Sequence, residues 1–179
     1  ALKDRYTTIS SVPVTASLRD SGGLGIVGDS ATGLGVARAA LIQVAGLHSP
    51  MECVVTAFVP GGNDGNWRWL EWLPHTSSPL SPVPGEHIAG TRAASARLLT
   101  ALEALVAQRA GTDIASFVPE MRGAHTTNSE NVRQEDRPTT PAVLVVVDDS
   151  APADRRRLIR LAEKGPDVNV HVLWVARSA

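Results

Sequence analysis

The sequence predicts a three-layer α/β fold built on a largely parallel sheet. Two patterns carry that reading. Aliphatic runs of four to six residues alternate along the chain with stretches of helical periodicity, which is how strand–helix–strand units are written. The runs at 54–59 and 142–147 are apolar almost throughout, as expected of parallel strands covered on both faces.

Taken in order, residues 5 to 19 alternate polar and apolar, with Ile9, Val12, Val14, Ala16 and Leu18 falling mostly on even positions. They predict one or two strands, broken near Pro13, as a leading hairpin or sheet edge. Asp20-Ser21-Gly22-Gly23 is a turn, and Leu24 to Val27 a short central-type strand. A helix is expected from about Thr32 to Gly46, with Leu34, Ala37, Leu41 and Val44 on its inner face and Ala40 and Leu47 widening it. Gly46 and Pro50 stop it. The strand at 54–59 completes a right-handed crossover unit.

Residues 60 to 66 form a glycine-rich loop that leads into Trp67-Arg68-Trp69-Leu70-Glu71-Trp72-Leu73-Pro74-His75. The Ser- and Pro-rich residues 76–84 are expected to be irregular and exposed. A short strand at 87–90 enters a helix from Thr91 to about Arg109, where Ala94, Leu98, Ala101 and Leu105 share a face beside Leu102. Ala124 to Thr140 is polar and reads as a mobile loop or linker. The clearest buried strand follows at 142–147, ending on Asp148-Asp149. A helix over Asp154–Lys164 turns Leu158, Leu161 and Ala162 inward and an arginine-rich face outward, and Val168 to Val175 is the last strand.

Length and composition fit one domain over 1–179. The chain opens on Ala, and it is expected to be a domain excised from a larger protein. Seventeen basic residues balance eighteen acidic ones, so net charge offers no grip on nucleic acid. Cys53 is the single cysteine, expected as a buried thiol, and no stretch approaches the length of a membrane span. The five histidines are scattered, and no metal site is expected from them.

Two motifs carry chemistry. Gly28 and Gly33 have the spacing of a phosphate-binding loop, in which backbone N–H groups cradle phosphate, a Lys reaches the outer phosphates and a Ser/Thr holds Mg²⁺. Here Leu34 stands at the Lys position and Gly35 at the Ser/Thr position. An aliphatic strand ending in Asp, as at Asp148, supplies the metal-binding acid of phosphate-loop enzymes, and Asp149 takes the place of the water-polarising Glu. The candidate nucleotide site is therefore Gly28, Asp29, Ser30, Thr32, Gly33, Leu34 and Gly35 with Asp148 and Asp149. Asp148 is its Mg²⁺ ligand should metal bind. Losing the Lys removes a charge-assisted contact of roughly 1.5–3 kcal/mol. Weak ATP/Mg²⁺ binding at best, negligible hydrolysis and no catalytic residue are the expectation; a plain strand-to-helix turn is the alternative reading of the glycines. Trp67, Trp69 and Trp72 read either as core or as anchors for a partner.

Four segments together resemble one family: Leu-Gly-Ile-Val-Gly at 24–28, Ala-Leu-Ile-Gln-Val-Ala-Gly-Leu-His-Ser-Pro at 40–50, the tryptophan segment at 67–75, and Val-Leu-Val-Val-Val-Asp-Asp at 143–149. They are similar to EccC, the membrane-anchored FtsK/SpoIIIE-type motor ATPase of type VII (ESX) secretion, over roughly residues 20 to 176. The match is to the degenerate ATPase-like domain between the transmembrane segments and the first motor domain. The resemblance implies a RecA-type fold on the cytoplasmic side of the cell membrane, within a parent expected to form hexamers. It also implies partners among the neighbouring ATPase domain and other secretion-complex subunits. The rival reading is an active ATPase domain whose missing cation a neighbouring arginine supplies in trans.

Overall fold

The computed structural model describes residues 15–62, 65–115 and 141–177. Five strands form one sheet in the order β1-β5-β4-β2-β3: β1 Gly23–Gly28, β2 Cys53–Phe58, β3 Ile88–Ala89, β4 Ala142–Asp148 and β5 Val170–Arg177. Every pairing is parallel. Around it lie α1 (Leu18–Ser21), α2 (Ser30–Leu47), α3 (Arg92–Ala115) and α4 (Arg155–Lys164), with short 3₁₀ turns at Arg68–Trp72, Pro74–Thr76 and Pro166–Val168.

The sheet is covered on both faces, which is why β2 and β4 read as nearly unbroken apolar runs. Successive side chains point to opposite faces. Val54, Phe58, Val143, Val145, Val147 and Val172 therefore pack under Leu98, Leu99 and Leu102 of α3 and Leu158 and Leu161 of α4. Val55, Ala57, Leu144, Val146, Leu173 and Val175 pack under Leu34, Ala37 and Leu41 of α2, joined by Trp67 and Leu70. The three-layer expectation holds.

Several local expectations change. Among the described residues of the expected leading hairpin, 15–17 are not strand and Leu18–Ser21 is one helical turn. The Ser17 hydroxyl caps that turn by accepting from the Asp20 amide, and Gly22 ends it at φ 75°. The remainder of the hairpin and the expected mobile loop at 124–140 lie outside the described residues.

Among the described strands β1 is an edge rather than a central strand, paired to β5 alone. Its burial alternates as an edge strand's does, with Ile26 inside and Val27 71% exposed. Helix α2 begins two residues earlier than expected, because Asp29 caps it. Its inner face stops short of Leu47, which is exposed. Residues 76–84 are irregular as expected, yet Thr76, Ser78 and Val83 are buried. Helix α3 runs to Ala115, past the expected end at Arg109. Strand β5 starts at Val170 because Pro166–Val168 winds into a 3₁₀ turn that closes on Asn169 at φ 61°.

Candidate functional site

In open parallel sheets ligands bind beyond the carboxyl ends of the strands. Here the ends of β1, β4 and β5 meet in a cleft of about 180 Å³, lined by Asp29, Gly33, Leu34, Asp148, Asp149, Ser150, Val175, Ala176 and Arg177. The two sequence motifs therefore do converge: Asp29, Gly33 and Leu34 face the same space as Asp148 and Asp149. The cleft falls below the roughly 300–1,000 Å³ usual for small-molecule pockets.

The glycine stretch is not an open cradle. Residue 28 ends β1, Asp29 is the capping residue, and Ser30, Thr32, Gly33, Leu34 and Gly35 are already helical. One Asp29 carboxylate oxygen accepts from the amides of Ala31 at 3.1 Å and Thr32 at 3.0 Å. A helix N-terminus attracts anions because its first N–H groups lack partners. In this chain a carboxylate of the protein already satisfies two of them. Those bonds, from the Thr32 amide and hydroxyl first, hold the Asp29 carboxyl below its ordinary value.

None of the three glycines is required by the backbone. Neither Gly28, Gly33 nor Gly35 has positive φ, and a Cβ at each would meet nothing closer than 3.8 Å. Leu34, at the Lys position of the motif, is 9% exposed and belongs to the core between α2 and the sheet. A lysine there would have to desolvate its ammonium or leave a gap in that core.

The acids are equally engaged. Asp148 is 9% exposed; one carboxylate oxygen accepts from the Trp67 indole N–H at 2.8 Å, and the other from the Ser150 amide at 2.9 Å and the Ser150 hydroxyl. Asp149 accepts from the Trp174 indole N–H at 3.0 Å and pairs with Arg155, whose guanidinium lies 5.2 Å from the Trp174 ring centre. Among the described residues no group of three His, Cys, Asp or Glu side chains is placed to hold a metal ion. Ser150 and Arg155 bond the acids from two and six residues further along the chain. Trp174 and Arg177 were not legible as site residues, because their place beside the end of β4 depends on strand order and not on spacing along the chain.

The three tryptophans separate. Trp67 is 2% exposed and is core, so its candidacy as a partner anchor is corrected by its burial. Trp69 is half-buried with its indole N–H donating to the Asn66 carbonyl at 3.0 Å, and Trp72 is 85% exposed.

No family model matches the chain. Two curated relatives do. The chain is 37% identical over 84 residues to the ESX-4 secretion system protein EccC4 of Mycobacterium tuberculosis, covering 44% of this chain and 7% of that protein. It is 32% identical over 74 residues to the ESX secretion system protein EccC of Thermomonospora curvata, covering 41% of this chain and 6% of that one. Over these segments the chain is similar in sequence to EccC proteins. The matched segments cover less than a tenth of the length of either EccC relative. A solved structure, the cytoplasmic domain of the Thermomonospora curvata type VII secretion ATPase EccC, superposes with a TM-score of 0.51 over 94% of this chain and 18% of that one, at 21% identity. That likeness carries the fold alone: the five-stranded parallel sheet and its covering helices are shared with that cytoplasmic domain.

Proposed function

We propose that this chain is a degenerate ATPase-like domain of a type VII secretion motor. It serves as a structural and regulatory piece that couples the membrane part of the motor to its working ATPase domains. Nucleotide binds weakly or not at all, and hydrolysis is negligible.

The single observation that carries this reading is the Asp29 carboxylate on the amides of Ala31 and Thr32. An incoming phosphate would have to displace a group of its own charge from those donors. Sequence similarity to EccC supports the setting in a type VII secretion system; in this reading the domain sits at the cytoplasmic face of a membrane-anchored, hexamer-forming parent. Among the described residues no helix is long and apolar enough to cross a membrane. In this reading Trp72, with Trp69 beside it, supplies the contact to a neighbouring domain.

Calorimetric titration of the chain with ATP and Mg²⁺ tests the proposal. Silence up to millimolar nucleotide is expected. Tight saturable binding that weakens in Asp148→Ala, or turnover above background, would show a working site instead.

A further inference from the structure

The segment between β2 and β3 is fastened to the rest of the chain at separated points, and one of them reaches into the cleft. Arg38 of α2 donates from Nη2 to the backbone carbonyl of Asn66 at 3.1 Å and to its side-chain oxygen at 3.2 Å. The neighbouring residue, Trp67, carries its indole N–H into the Asp148 carboxylate. Further on, His75 Nε2–H donates to the His48 carbonyl at 2.8 Å, while the Thr76 hydroxyl bonds the carbonyls of Leu70 and Leu73 within the segment itself. Between these fasteners lies the 3₁₀ turn that presents Trp72 to solvent.

We infer that this segment is a latch on the cleft. Trp67 is the positioning residue of the latch: it keeps Asp148 turned inward and protected. Moving the 66–76 segment withdraws the indole donor and opens one carboxylate oxygen to the cleft. The reason is geometric. Trp67 is fully enclosed and its one polar atom is committed to Asp148, so the ring has no second place to put its N–H while the turn behind it shifts. Asp149 is held separately, by Trp174 and Arg155, and is not on the latch. A contact made at Trp72 is thereby transmitted to the strand end that carries Asp148. The inference deepens the regulatory part of the proposed function and rests on it for its purpose, though not for its test.

Carboxyl footprinting of the full chain with a water-soluble carbodiimide and an amine, read residue by residue by mass spectrometry, provides that test. In the native chain Asp148 labels slowly, while the exposed Asp154 labels freely. Arg38→Ala and His75→Gln each undo a fastener without touching Asp148. Each is expected to raise Asp148 labelling about ten-fold, the opening expected when about one hydrogen bond's worth of restraint is lost. Glu103, paired with Arg157 on the opposite face, should stay unchanged. Trp67→Phe keeps the ring, removes the donor and sets the upper limit. Asp148 protection that persists in either remote variant or in Trp67→Phe overturns the latch, as does labelling that rises only together with Glu103. Tight nucleotide binding or turnover above background would sink the proposed function and leave these labelling ratios untouched, so the two failures are distinguishable.

Discussion

Trp67 and Asp148, 81 positions apart in the chain, share a 2.8 Å hydrogen bond inside the protein at the carboxyl end of the sheet. Replacing Trp67 with Phe keeps most of the packing and strips a buried carboxylate of one donor. The expected loss is about 1–3 kcal/mol in urea unfolding, the cost of leaving a buried polar group unpaired. Trp67→Ala adds a cavity and is expected to cost about 3–5 kcal/mol. A Phe variant as stable as the native chain would mean that water replaces the indole at no cost.

Gly35 offers the opposite sign. It sits inside α2, exposed, with nothing within 4 Å of where a Cβ would stand. Gly35→Ala is expected to stabilise the chain by roughly 0.5–1 kcal/mol, because glycine in a helix interior carries an entropic penalty. Unfolding midpoints at matched conditions decide it. A drop in stability would mean that Gly35 has a conformational duty that its surroundings do not show.

Acid should loosen two capped turns. Asp29 and Glu52 both have carboxyls held below their ordinary values of 3.8 and 4.5, by the Thr32 and Ser49 hydrogen bonds respectively. A carboxyl depressed in the folded state binds its proton more readily when unfolded, so its contribution is present above the ordinary value and is lost as pH falls through the folded one. Carbon-detected NMR titration is expected to show Asp29 titrating below 3.8. It should also show fraying of the Ala31 and Thr32 amides as Asp29 protonates. A midpoint at or above the ordinary value would remove the carboxylate from the cap.

Cys53 should be inert. It is 6% exposed, and burial pushes its thiol up to about 11. Since the thiolate is the nucleophile, the reaction with a disulfide reagent at pH 8 is expected to run about a hundredfold slower than with a free thiol. It should reach ordinary speed only in denaturant. Rapid labelling of the folded chain would reveal an opening of β2 that the packed core argues against.

Trp72 is the surface test. At 85% exposure its replacement by Ser is expected to change stability by less than about 0.5 kcal/mol. Under the proposed function the same change is expected to weaken association with an adjoining ATPase domain by ten-fold or more, measured by pull-down or calorimetry. Unaltered association would transfer the contact to another face.

The alternation of apolar runs with helical periodicity determined the α/β class, because covering both faces of a parallel sheet demands continuous aliphatic strands and one-sided helices. It also determined the inner faces of α2, α3 and α4, since Leu41, Leu98 and Leu158 are buried by the period of their own helices. The convergence of Asp29 and Gly33 with Asp148 at one end of the sheet was legible too, because every strand of a parallel sheet ends on the same side. Only the tertiary structure decided that β1 takes an edge, that Trp67 turns inward while Trp72 turns outward, and that the cleft is already occupied by its own hydrogen bonds. Local spacing encodes how much of a segment must be covered. Which distant residue covers it depends on strand order and on loops that fold against the sheet, and Trp67 finds Asp148 only once both are in place.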